Sequence, residues 1–388
     1  MSKFYVMYLS LFIGLGAYNT FLPVYLENTL GFTSSQVGLI VSIPSIIGII
    51  FVPIWGLISD ISKKQKPVLW LNVLMSLIFT GLYIITESFI TIFVVATGLE
   101  MFRNSILPLT DSLTTSYCKK NNKNYGQIRV IGSMSFAIAS FLCGQLIKAT
   151  NNDLMFFYVF MVSMVGCLIV TPTVEVSDDS VDKDKLNLKK DLPKLFSNKA
   201  YILILLCAVC TSSLTEAMMS YQGIHLINLG AGTELVGLLT VFMVVPELYF
   251  MVKSKDLLNK FGMIKMISFA SLALLLRWVI YSFTSNPWIF MLATSMHGVS
   301  ISIVTICAFD FIGKVVDKKL YTTSMTVYTF IIGVSYSLMK LLYGSMIDTF
   351  GINSIFIFSM IVSLFSFIVV KWISKLDTVS LNNVEAIN

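Results

Sequence analysis

Asp111 and Arg129 stand on either side of a short polar stretch carrying Lys119, Lys120 and Lys123. Each lies inside an otherwise apolar run. At a helical rise of about 1.5 Å per residue, Asp111 falls roughly 12 Å before that stretch and Arg129 roughly 9 Å after it. Two antiparallel neighbouring helices would hold acid and base at similar depth. An ionised group in apolar surroundings is costly and marks function by default. Arginine offers a planar fork of donors suited to hydroxyls or a carboxylate. Phe136 lies two helical turns beyond Arg129 on the same face. The alternative for the pair is a structural ion bridge tying two helices together.

A second set is more dispersed. Glu247, Arg277 and His297 sit in three successive apolar runs. A carboxylate whose pKa rises by burial, with an imidazole titrating near neutrality, is suited to carrying a proton, and an arginine can drive that carboxylate to release it. A satisfied buried polar cluster is the alternative reading. Glu100, Asn104 and Asp111 share one helical stripe, and Arg103 is spaced to neutralise Glu100 within the same helix. Asn19 and Glu216 are further polar residues in apolar runs and candidate ligand contacts. The sequence holds no nucleotide-binding loop, no HExxH and no Ser/His nucleophile arrangement, and its 2 histidines are His225 and His297. That argues against an enzyme, and no cofactor or metal is expected.

These residues need elements that cross a bilayer to position them. The chain has 388 residues, 56% hydrophobic and 12% charged, against about 25% charged in soluble proteins. Apolar stretches of spanning length recur throughout. Six fall within residues 4–172 and six within 200–375. The expectation is an all-α membrane protein with twelve transmembrane helices in two pseudo-symmetric six-helix bundles. The bundles would cover residues 1–172 and 200–376, with a linker at 173–199 and a polar, structureless tail at 377–388. Within the linker, Leu192–Phe196 reads as a short amphipathic helix at the membrane surface. The first apolar stretch reads as a retained helix, not a cleaved leader. The 6 cysteines have no disulfide spacing.

The lysines give the topology. Loops on one side carry Lys63, Lys64 and Lys66, then Lys119, Lys120 and Lys123, then the linker lysines and Lys253, Lys255, Lys260 and Lys265. The opposite loops carry only Lys148. Positive-inside placement puts both termini and the linker in the cytoplasm. It also assigns the net charge of +6 to a bilayer, not to nucleic acid. The halves repeat: L-G-F-T-S-S-Q-V-G-L from Leu30 is matched by L-G-A-G-T-E-L-V-G-L from Leu229. A duplicated six-helix unit points to a solute site near the membrane midplane, between the bundles.

Several segments are similar to the major facilitator superfamily, and within it to the lactose permease-like oligosaccharide:proton symporters. Gly56–Trp70 (G-L-I-S-D-I-S-K-K-Q-K-P-V-L-W) resembles the superfamily's loop between helices 2 and 3. Gly16–Leu26 resembles the permeases' first helix and Tyr125–Ser140 the start of their fifth. The Asp111–Arg129 spacing matches their acid–arginine pair, and Glu247, Arg277 and His297 match their buried glutamate, arginine and histidine. The resemblance spans essentially the whole chain. It implies a proton-coupled symporter of a small organic solute (a sugar, nucleoside or aromatic acid), acting by alternating access as a monomer in a bacterial cytoplasmic membrane. Substrate contacts would be Arg129, Asp111, Phe136, Glu247, Asn19 and Glu216. Proton coupling would fall to Glu247, His297 and Arg277, and gating to Asp60. The pattern departs at Ser300, where the permeases carry a proton-binding glutamate, and at Phe136, where they carry a tryptophan. A proton-driven exporter is the competing reading, but drug antiporters carry a Gly-Pro motif on helix 5, and this chain has Gly132 and Gly144 there without it.

Overall fold

A computed structural model describes residues 1–62, 64–174, 188–316 and 320–385. These residues form fourteen α-helices and no strand. Six come first: α1 (Ser2–Val24), α2 (Ser34–Ser62), α3 (Gln65–Ile84), α4 (Phe89–Lys120), α5 (Tyr125–Thr150) and α6 (Met155–Val170). Two short ones, α7 (Leu188–Ser197) and α9 (Gln222–Asn228), flank α8 (Lys199–Met218). Then come α10 (Thr233–Phe261), α11 (Met263–Phe283), α12 (Pro287–Val315), α13 (Tyr321–Phe350) and α14 (Asn353–Glu385). Among the described residues, twelve stretches are long and apolar enough to cross a membrane, as the sequence leads one to expect. The amphipathic helix expected near Leu192 is α7. Residues 175–187 of the expected linker lie outside the described residues. The expectation of a structureless tail is corrected, because α14 runs on to Glu385. No proline or glycine follows Gly351 to stop it.

The chain falls into two compact units. The first comprises residues 1–181, 218–244 and 340–349; the second comprises 182–217, 245–339 and 350–388. In the first unit α1 is central and packs on α5, α6 and α9, while α4 packs on α2 and α3. The buried face of α1 carries Phe4, Tyr8, Leu11, Tyr18 and Phe21. Rings of Tyr18 and Tyr25 meet Phe156 and Phe157 with centroids 5.6–6.5 Å apart, offset and edge-on geometries that rings prefer. In the second unit α11 packs on α12 and α14. Its core holds Tyr201, Ile204, Cys207, Ile267, Val304 and Ile312. Asn286 starts α12 by accepting from the Trp288 and Ile289 amides at 2.9 and 3.4 Å, with Pro287 in the first turn, the residue pairing a helix start favours.

Polar side chains inside the spans largely serve their own helices. In α3, Asn72 donates to Val68 O (2.8 Å), Ser76 to Asn72 O (2.8 Å) and Thr80 to Ser76 O (2.7 Å). In α8, Thr211 donates to Cys207 O (2.9 Å) and Thr215 to Thr211 O (2.7 Å). Each such bond lends a buried hydroxyl or amide an acceptor where water is absent.

Candidate functional site

In the first unit, α1, α4 and α5 assemble the cluster around Asp111. The Tyr8 hydroxyl of α1 donates to Asp111 Oδ1 on α4. Tyr125 opens α5 edge-on to Tyr8, with centroids 6.5 Å apart, and brings a second hydroxyl near the same carboxylate. Arg129 is within electrostatic reach of Asp111, yet no ion pair joins them among the described residues. Its guanidinium instead lies over the Phe12 ring, 4.7 Å from the centroid. Arg129 Nη1 is buried without a hydrogen-bond partner. The acid and base expected to face each other are therefore close but separately held. Phe136 is half-buried further along α5, and its backbone oxygen meets α1 at Gly16.

About two to three turns up α4, Glu100 and Arg103 form an intrahelical pair. Arg103 Nε and Nη2 donate to Glu100 at 2.9, 2.7 and 2.8 Å. Nη1 donates to Asn19 Oδ1 at 3.2 Å, and the guanidinium lies 4.9 Å from the Tyr18 centroid. Asn104 reaches α2 through Ser45 O at 3.3 Å. Asn19, a candidate ligand contact from sequence, is thus held by Arg103. Asp60 is exposed near the end of α2.

In the second unit, α11 and α12 carry a buried arginine and histidine side by side. Arg277 is 0% exposed and His297 2%, and the arginine charge acts on the imidazole. Arg277 stacks over Trp278 and Tyr281, at 4.9 and 5.0 Å. Trp278 is anchored to Ser363 (3.1 Å) and Tyr281 to Thr294 (2.6 Å). His297 Nδ1 is buried without a hydrogen-bond partner. Ser300 donates to Ala270 O at 3.0 Å, so the position that resembles the permeases' glutamate fastens α12 to α11. Glu247 is half-buried on α10, its carbonyl accepting from Ser302 at 3.3 Å. Glu216 is half-buried on α8.

The lysine-poor end of the first unit holds residues that sequence reasoning missed. Asp348, at the end of α13, caps the start of α2: its two oxygens accept from Ser34 N (3.0 Å) and Ser35 N (2.8 Å), where helix amides favour an anion. Glu27 accepts from Ser34 Oγ at 3.0 Å. Tyr221 donates to Lys340 O at 2.6 Å. Lys148, the lone lysine of these loops, pairs with Glu234 at 2.7 Å. Here α5 and α10 nearly touch: a Cβ on Gly237 would collide with Ser140 O and meet Phe141 Cα at 3.0 Å, and one on Gly144 would meet Thr233 O at 2.7 Å. The repeat beginning at Leu30 and Leu229 flanks this end, which was the one available signal.

His225, on α9 near that end, is buried, and burial pushes its imidazole down from 6.5 to about 4. The unfolded chain takes up this proton near pH 6.5 and the folded one only near 4, so stability falls as pH drops through that window. The loss amounts to on the order of 1–3 kcal/mol. Melting in detergent should therefore drop between pH 7.5 and 5, and His225→Gln should flatten the drop; equal slopes would count against it.

The fold as a whole is shared with solved transporters. The structure of the nucleoside transporter NupG superposes with a TM-score of 0.81 at 15% identity, covering 96% of this chain and 98% of that one. That likeness defines the class: a major facilitator fold. A family model described as the MFS_1 like family matches residues 1–358, and the chain belongs to that family. Among its relatives, the transporter YwbF of Bacillus subtilis is 28% identical over 83% of this chain and 80% of its own length. A maltose permease of Geobacillus stearothermophilus is 23% identical over 96% and 94%. The protein is a multi-pass cell-membrane transporter and not an enzyme.

Proposed function

We propose that this transporter moves a small organic solute together with protons, as a symporter, by alternating access. The observation that carries the reading is the Arg277–His297 pair, 0% and 2% exposed in adjoining helices. Ionisable groups are rarely placed there without a role in moving charge or solute. Glu247, a half-buried carboxylate of the same unit, is the proton carrier in this reading, and Arg277 and His297 bias its release. Arg129, Asp111, Phe136, Asn19 and Glu216 provide solute contacts, and Asp60 acts in gating. Residues 1–172 and 200–376 work as the two moving bundles of a monomer, with the termini and linker in the cytoplasm. Sugars, nucleosides and aromatic acids are the solute classes to test.

Coupling is read from accumulation in proteoliposomes under an imposed pH gradient. Glu247→Gln should abolish gradient-driven accumulation and retain solute exchange at equilibrium, because exchange needs no net proton transfer. Undiminished accumulation in that variant would remove Glu247 as the carrier.

A further inference from the structure

From the state of Arg129 we infer that the solute carries a carboxylate, which this guanidinium binds. The inference rests on the transporter reading above and deepens it. All 3 arginines of the chain, Arg103, Arg129 and Arg277, lie within spanning helices. They are not equivalent. The Arg103 fork is filled by Glu100 and Asn19. Arg277 is sealed at 0% exposure against two rings. Arg129 is half-buried and uses none of its donors on the described residues, with Nη1 buried and unpaired. One face of its plane is covered by Phe12 at 4.7 Å. The N–H groups of a guanidinium are paired along its edges, a geometry that matches the two oxygens of a carboxylate.

The acid beside it sharpens the choice. A sugar or other polyol brings hydroxyl donors and needs acceptors as well as donors. Asp111 is the carboxylate within electrostatic reach of Arg129, and the Tyr8 hydroxyl already donates to it. The cluster therefore offers a wholly unused set of guanidinium donors beside an acceptor whose capacity Tyr8 takes up in part. A carboxylate needs donors alone. Asp111 bonds Tyr8 and forms no ion pair with the guanidinium, whose donors stay open to a ligand. In the symport reading the accompanying proton offsets the ligand's negative charge, so the electrostatic cost of the load in a low-dielectric setting stays small.

The test compares benzoate, butyrate and 3-phenylpropionate at pH 7 with their primary amides, maltose and uridine. Binding is read by thermal stabilisation in detergent and uptake by proteoliposome flux. At least one carboxylate should bind and be taken up while its amide is not. Arg129→Gln should weaken that binding about 10- to 100-fold, the range for a charge-assisted bidentate contact, and Arg129→Lys should recover part of it. Removing a side chain that makes no hydrogen bond in the fold should leave the ligand-free melting temperature nearly unchanged, which separates lost binding from lost structure. Maltose or uridine flux with none for any carboxylate overturns the inference and leaves proton symport standing. Unchanged carboxylate affinity in Arg129→Gln also overturns it. Carboxylate flux without proton movement, in contrast, sinks the symport reading and keeps this one.

Discussion

Gly237→Trp is expected to lower solute uptake at least about 100-fold in a chain that still folds. A side chain at this position has nowhere to go. Its Cβ alone would strike Ser140 O and sit 3.0 Å from Phe141 Cα. These are backbone atoms of α5, and α5 is itself pinned, since Ser140 Oγ donates to Gly16 O on α1 at 2.8 Å. A packed backbone does not yield by an ångström the way an exposed side chain does. Small residues are what permit such approach between membrane helices. The N-terminal turns of α10 must therefore leave α5, and the Lys148–Glu234 pair at 2.7 Å separates with them. In the alternating-access reading proposed above, a transporter that cannot close one end cannot complete its cycle. The expected signature is increased labelling of a cysteine placed at Glu234 by a membrane-impermeant maleimide, with transport lost. Gly237→Ala should give a smaller effect in the same direction. Wild-type uptake by the tryptophan variant would show that the contact is not needed for turnover.

Arg103→Ala should be the most damaging single change to stability. Glu100 is 6% exposed and receives three hydrogen bonds from Arg103. Stripping the arginine leaves a carboxylate in an apolar bundle, a loss of about 3–5 kcal/mol for a broken buried pair. Asn19 and the Tyr18 ring lose their partner in the same step. The expected readouts are a strongly lowered melting temperature and poor yield after extraction. A double variant, Glu100→Gln with Arg103→Gln, should recover most of the loss, because two neutral amides can bond each other where a lone charge cannot. If the double variant were no more stable than Arg103→Ala, the damage would come from lost packing against Tyr18 instead of a stranded charge. Adding the single variants Glu100→Gln and Arg103→Gln closes a cycle that measures that coupling directly.

The architecture was readable because bilayer physics writes it in composition. An apolar run of spanning length can do little else, so twelve helices follow from residue types alone. The position of α9 was not readable in this way: the break after Met218 falls in a stretch as apolar as its surroundings, and only the packing of Gln222–Leu226 decides it. The charged positions were equally visible, since each interrupts an apolar run. Their partners were not. Sequence spacing set Asp111 opposite Arg129, and depth along the helices supported it. The outcome turned on rotation about the helix axes, which spacing does not fix: Tyr8 of α1 reaches the acid first. Asp348 was missed for a related reason. A carboxylate at a helix end reads as a solvated terminus until the chain 313–314 positions away is seen to place two amides against it.

The self-directed bonds of α3 and α8 bear on how such a chain is made. Asn72, Ser76 and Thr80 hand their protons to carbonyls of their own helix, as Thr211 and Thr215 do in theirs. Each of these donors is satisfied within its own helix and needs no neighbouring helix to be synthesised first. Arg129, by contrast, has no acceptor on its own helix, and its aromatic cover, Phe12, belongs to a helix translated well before it. The helix that lodges Arg129 is thus already made when α5 emerges.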